Sequence, residues 1–196
     1  MERDEIKLLR NIEKNLLNKI IESNTSKKYK ISKLLDCGEF SCVFLALDEN
    51  NNWVALKVTD NINKLEEIEC LLKLRGLCGE NILCYIESFN IYFLDKDWLV
   101  IVTEFLSGYI SLNTYLKSNT LTKNKKITIM KNIVKIINFI HKFGILHNDL
   151  NKENIMIDPN TLNIKIIDFG NCSSMYKIEN PDELMKLEIE SIKDLF

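Results

Sequence analysis

The chain has 196 residues, 46% of them hydrophobic and 28% charged, which is enough apolar material for one sizeable core or two small lobes. A net charge of −2, with no block of lysine or arginine, creates no field that would gather nucleic acid or an anionic membrane surface. The start, Met1-Glu2-Arg3-Asp4-Glu5, lacks the apolar segment of a signal peptide, and the apolar runs at Leu99–Val102 and Ile133–Ile140 are too short to span a bilayer.

Residues 4–22 place Ile6, Leu9, Ile12, Leu16 and Ile20 at helical spacing, which predicts an amphipathic helix followed by a polar linker, Ser23–Ser26. Packing on its own domain is the economical role for this helix, and docking to a partner is the alternative. From Tyr29 the period turns to two. Lys30–Leu35 and Cys42–Leu47 flank a turn at Cys37-Gly38-Glu39, and Trp53–Val58 forms a third strand. A helix over about 63–75 carries Leu65, Ile68, Leu71 and Leu72, with Gly76 just past its end. Strands near 83–93 and 98–104 join at Asp95-Lys96-Asp97, so the first lobe is expected to be a five-stranded antiparallel sheet with one helix.

After Ser107-Gly108 the pattern becomes helical. Residues 124–143 put Ile127, Met130, Ile133, Val134, Ile137 and Ile140 on one stripe, ended by Gly144. Short strands at 155–158 and 163–167 pair across Asp158-Pro159-Asn160-Thr161, and 182–196 read as helix again. The expected class is α+β in two lobes. Residues 1–28 hold the helix and linker, 29–106 the first lobe, and 107–196 a reduced, mostly helical second lobe, with a hinge near 104–108.

The six cysteines, at 37, 42, 70, 78, 84 and 172, form no paired CxxC knuckles and read as reduced thiols of a cytoplasmic protein. Four stretches carry groups suited to chemistry. Leu35-Asp36-Cys37-Gly38-Glu39-Phe40-Ser41-Cys42-Val43 is a strand–turn–strand junction whose backbone N–H groups could meet phosphate oxygens, though a plain hairpin has the same pattern. Val54-Ala55-Leu56-Lys57 puts a lysine on a buried strand, where it needs a partner. Glu67 on the next helix is preferred over Glu66, because Leu71 and Leu74 follow it on the inward side. His147-Asn148-Asp149-Leu150-Asn151-Lys152-Glu153-Asn154 sets a carboxylate and an amide five residues apart on a loop, with His147 read as a structural pin. Ile166-Ile167-Asp168-Phe169-Gly170 ends a buried strand on a carboxylate.

Together, in this order, the four stretches resemble the signature set of the protein-kinase superfamily, from about Tyr29 to the C-terminus. The resemblance implies that ATP and Mg²⁺, with Mn²⁺ as the alternative ion, are the cofactors. It implies that Lys57 holds the α/β-phosphates and pairs with Glu67, that Asp149 is the catalytic base, and that Asn154 and Asp168 are the metal ligands. Leu35 and Gly38 would cover the nucleotide. Val43, Ala55 and Met156 would sandwich the adenine, Glu104 and Leu106 would be the hinge contacts, and Thr103 the gatekeeper. Leu71, Tyr85, His147 and Phe169 would form the apolar column of such folds.

The chain departs from that pattern in places. Asn148 stands where many kinases have an arginine that reads a phosphorylated activation loop, and Asn151 where a lysine contacts the γ-phosphate. Asp36 and Ser41 stand where glycines are usual, and an Asp there would oppose phosphate by about 2–3 kcal/mol. Only a short stretch separates Gly170 from Glu188, which opens a segment resembling the central helix of small atypical kinases such as the RIO proteins and the kinase subunit of the KEOPS complex. The implied activity is serine/threonine protein kinase or autokinase, with a protein substrate or partner protein and an undetermined oligomeric state. A nucleotide-binding scaffold without turnover is the second reading, and a small-molecule kinase the third.

Overall fold

The computed structural model describes residues 11–38, 41–60, 65–79 and 81–196. Two compact units emerge, one of residues 1–64 with Tyr85–Phe105, the other of Leu65–Cys84 with Leu106–Phe196. Among the described residues no helix is long and apolar enough to cross a membrane.

The first unit is built on an antiparallel sheet of strands β1 (Ile20–Glu22), β2 (Lys28–Cys37), β3 (Ser41–Leu47), β4 (Trp53–Asp60), β5 (Tyr85–Phe93) and β6 (Lys96–Glu104), in the order β1-β2-β3-β4-β6-β5. The sheet therefore has six strands where the sequence pattern predicts five. The extra strand comes from the expected helix over 4–22, whose first residues lie outside the described ones. Helix α1 is seen at residues 11–16, and the chain then reverses at Asn18, which adopts φ +61°, a conformation asparagine tolerates. Asn18 donates its N–H to the Ile31 carbonyl and Ile31 donates to Lys19, which starts the β1–β2 ladder. Ile20 fits the helical stripe by spacing alone and ends 63% exposed, while Ile21 points into the core.

Alternation sorts the sheet into two faces. Phe44, Leu56, Val58, Val100 and Val102 are buried on one, with Ile12 and Leu16 of α1 packed among the same core residues. The first helix is thus part of its own unit's core. The sheet also curls. Tyr29 of β2 stacks on Phe89 of β5 at 6.0 Å and donates its hydroxyl to Glu87 at 2.5 Å. Thr25 donates to the other Glu87 oxygen at 2.9 Å. Burial and the Glu87 carboxylate push the Tyr29 phenol well above its usual range. The β5–β6 hairpin turns at Leu94 and Asp95, both at positive φ (54° and 57°), one residue earlier than the Asp95-Lys96-Asp97 turn expected. Two left-handed residues suit the twist of a two-residue hairpin, so Lys96 is already in β6.

In the second unit, α2 (Leu65–Leu74) runs into a 3-10 turn at Arg75–Leu77, so Gly76 lies inside that turn and not beyond the helix as a cap. Residues 61–64, the expected helix start, lie outside the described ones. Strand β7 (Ile110–Ser111), α3 (Leu112–Ser118), α4 (Lys123–Lys142) and β8 (Ile145–Leu146) follow. Next come β9 (Ile155–Ile157), β10 (Ile164–Ile166), β11 (Ser173–Ser174) and α5 (Pro181–Ser191), which ends in a 3-10 turn at Ile192–Leu195. Ser111 and Thr122 cap α3 and α4 by accepting N–H groups three residues on. Helix α4 buries Ile129, Ile133, Ile136, Ile137, Ile140 and His141. Its inward face is rotated from the expected stripe, and Ile127 is 39% exposed. Gly144 ends α4 at φ +69°, and a Cβ there would meet the Tyr176 ring at 3.0 Å. The paired sheets β10-β9-β7 and β11-β8 hold the loops that follow β8 and β10.

The cysteine reading needs correction. Cys37 and Cys42 face each other as partners in the β2–β3 register, with Cα atoms 4.1 Å apart, and are joined in a disulfide. Strand pairing brings them together. Spacing along the chain does not announce it. Closing so short a loop contributes about 2 kcal/mol by restricting the unfolded chain. Replacing both by alanine should lower unfolding stability by about that amount in urea titrations, and wild type in reductant should fall toward the variant.

Candidate functional site

In the first unit the second sheet face carries residues singled out by sequence. Register places Val43 opposite Lys57, and Lys57 opposite Ile101. Leu45 lies opposite Ala55, and Ala55 opposite Thr103. Val43, Ala55, Lys57 and Thr103 are half-buried and alternate with the core positions, so they share one face. Leu35, 39% exposed, and Gly38 lie at the end of β2. The Gly38 N–H donates to the Ser41 carbonyl at 2.9 Å, while Glu39 and Phe40 lie outside the described residues. Glu104 ends β6.

In the second unit Glu67 is 3% exposed on α2, whereas Glu66 turns toward the segment after Gly170. A Glu66 oxygen accepts the Ser174 N–H at 3.4 Å and pairs with Lys177 at 3.5 Å. Lys73 donates to Ser174 at 3.0 Å, and the buried Cys172 thiol donates to the Glu66 carbonyl at 3.5 Å. Leu106 and Met156 are half-buried, the latter on β9 opposite Lys165 and Ser111. Leu71 is 3% exposed and packs inward.

The loop after β8 is fixed by a buried imidazole. His147 is fully buried. Its Nε2 lies 3.0 Å from the Ile167 carbonyl, which can only accept, and its Nδ1 accepts the Asp149 N–H at 3.3 Å. Those partners require a neutral ring protonated on Nε2. Burial lowers its pKa from the usual 6.5, against the pull of the Ile167 carbonyl and the surrounding carboxylates. Phe169 packs edge-on against the ring at 5.0 Å.

Around that pin, asparagines make the bonds. Asn148, at φ +62°, donates its backbone N–H to Glu188 at 2.7 Å. Its side-chain nitrogen donates to the Asn171 carbonyl at 3.0 Å and to Ser173 Oγ at 2.8 Å. Glu188 meets His141 Nε2 at 2.6 Å in a nearly buried pair. The Asp149 carboxylate accepts from Asn151 Nδ2 on Oδ1 at 3.0 Å. On Oδ2 it accepts from Asn154 Nδ2 at 3.1 Å and Asn171 Nδ2 at 3.3 Å. Asn151 Oδ1 in turn accepts the backbone N–H groups of Glu153 and Asn154. Helix α3 holds the loop's far end, Asn113 donating to the Lys152 carbonyl and, through its side chain, to Glu153.

The arrangement offers oriented oxygens. Both Asn154 donor bonds go to Asp149, which leaves its amide oxygen as the end suited to a cation. Asp168, at φ +60° and exposed, accepts the Gly170 N–H on Oδ1 at 3.1 Å and has further lone pairs. One carboxylate and one amide oxygen fit Mg²⁺ when phosphate and water complete its shell. Among the described residues no cluster of three or more His, Cys, Asp or Glu could hold a metal without such help. A cavity of about 490 Å³ lined by Leu77, Asn81, Ile82, Ile136, Phe139 and Lys142 shares none of these residues. Sequence reasoning passed over Asn171, and it saw Glu188 only as the start of a helix. An amide directly after Asp168-Phe169-Gly170, where the chain turns back toward the Asp149 loop, was the available signal for Asn171.

The family model of the protein kinase domain matches residues 29–188. Over 177 residues the chain is 25% identical to serine/threonine-protein kinase chk1 of Schizosaccharomyces pombe, covering 83% of this chain and 34% of that protein. It is 30% identical over 160 residues to serine/threonine-protein kinase fused of Drosophila melanogaster, covering 76% and 18% respectively. With CBL-interacting protein kinase 10 of Oryza sativa it shares 27% over 164 residues, 81% and 35%. The chain spans roughly a third or less of the length of these relatives.

The neutral His147 has a consequence for stability. Its pKa is lower folded than unfolded, so the unfolded chain takes up the proton first as pH falls. Its contribution is complete above about pH 6.5 and is lost on acidification below it. Urea midpoints measured between pH 7.5 and 5.5 should fall less steeply in His147→Phe than in wild type.

Proposed function

We propose, for a chain that belongs to the protein kinase family, that it is an ATP- and Mg²⁺-dependent phosphotransferase acting on serine or threonine hydroxyls of a protein, its own included. The observation that carries this reading is the Asp149 carboxylate, held by three amides in a loop anchored on buried His147. A carboxylate with both oxygens oriented is suited to accept or steer the proton of an attacking hydroxyl.

In this reading Asn154 Oδ1 and Asp168 would hold Mg²⁺, which would supply positive charge to offset that of the phosphates. Lys57 meets the α/β-phosphates and takes Glu67 as its partner. Leu35 and Gly38 cover the nucleotide, and Val43, Ala55 and Met156 enclose the adenine. Glu104 and Leu106 bond the adenine edge through their backbone, with Thr103 beside them. The shared face of Val43, Ala55, Lys57 and Thr103 supports the first unit's part in this. The partner is a protein substrate and the compartment the cytoplasm.

One observation favours a second reading, a nucleotide-binding scaffold without turnover. Asn151 spends both ends of its amide inside the loop, and so offers no group to a phosphate where the family has a lysine.

With γ-labelled ATP and generic protein acceptors, Asp149→Asn should lower label incorporation by roughly 10²–10⁴, and Asp168→Ala should also weaken Mg²⁺·ATP binding. Incorporation that does not depend on Asp149 would rule the catalytic reading out. A thermal shift with ATP and Mg²⁺ but no turnover would move the assignment to the scaffold.

A further inference from the structure

We infer that Asn171 is a positioning residue for Asp149: its side-chain amide, supplied by the segment after Asp168-Phe169-Gly170, holds the carboxylate from outside the loop that carries it. The inference rests on the reading of Asp149 as the base. Of the three amides on the carboxylate, Asn151 and Asn154 belong to its own loop and move with it. Asn171 does not, and its bond to Oδ2 at 3.3 Å ties Asp149 to the segment that begins at Asp168.

A second bond runs the opposite way. Asn148, next to Asp149, donates its side-chain amide to the Asn171 carbonyl at 3.0 Å and to Ser173 Oγ at 2.8 Å. The two segments thus clasp each other, amide 148 on carbonyl 171 and amide 171 on carboxylate 149. Asn171 is exposed, so burial of its side chain does not account for this placement. The clasp's donors are both neutral amides, so it needs no phosphate and no arginine. A base and a metal ligand on separate segments must keep a fixed spacing for in-line transfer, and a reciprocal clasp of this kind supplies it.

The test is steady-state kinetics on the full chain with Asn171→Ala, Asn171→Gln, Asn171→Asp and, in parallel, Asp149→Asn. Losing one hydrogen bond to a charged group predicts a kcat roughly ten-fold lower in Asn171→Ala, with KM for ATP within about two-fold of wild type. Asn171→Gln keeps the donor and should recover part of that loss. Asn171→Asp replaces the donor with a like charge and should fall below Asn171→Ala. Wild-type kcat in Asn171→Ala, or equal values for Ala, Gln and Asp, would overturn the assignment. Full turnover in Asp149→Asn would instead defeat the reading of Asp149 as base. A chain without turnover is tested by a double-mutant cycle of Asp149→Ala and Asn171→Ala on the urea midpoint. Non-additive midpoints support the clasp, and additive ones refute it.

Discussion

A neutral imidazole bridging two backbone groups is the constraint on which the second unit's candidate site depends. His147 gives its Nε2 proton to the Ile167 carbonyl and takes the Asp149 N–H on Nδ1, so one ring sets the end of one strand-derived segment and the start of the next loop. Both bonds lie in a fully buried site, where an unmade bond would cost about 1–3 kcal/mol. Phe169 closes over the ring from the side. The Asp149 loop and the Asp168 segment are therefore registered to each other before any ligand arrives.

Upon that pin the molecule builds with amides, two of which, Asn148 and Asn151, stand where the resemblance leads one to expect an arginine and a lysine. Asn148, Asn151, Asn154 and Asn171 exchange bonds with backbone groups and with one carboxylate, and Glu188 secures the Asn148 backbone while resting on His141. An amide is donor and acceptor at once, so a few of them can close a network that lysine or arginine, donors only, could not. It also orients without adding charge of its own.

The first unit works by a different rule. Alternation along three adjacent strands separates a core face from a face that carries Val43, Ala55, Lys57 and Thr103, and a one-residue slip would exchange the two. The register is held by the Cys37–Cys42 disulfide at one end of β2–β3 and by the curl that brings Tyr29 onto Glu87.

Much of this was legible in the residues. The order and type of the main elements followed from period-two and helical spacing, and the chemical groups from four short stretches, because side-chain alternation and local motif spacing are properties of adjacent residues. The β1 strand, the rotated α4 face, the Cys37–Cys42 pairing and the bond from Asn171 to Asp149 were not. Ile20 and Leu16 satisfy a helical stripe whether or not Asn18 reverses the chain, and the place of Asn171 directly after Asp168-Phe169-Gly170 marks it without saying that its amide meets a carboxylate 22 residues earlier. Contacts between segments distant in sequence are chosen by the packing of the whole unit, through register, burial and loop return, and only the folded chain makes that choice.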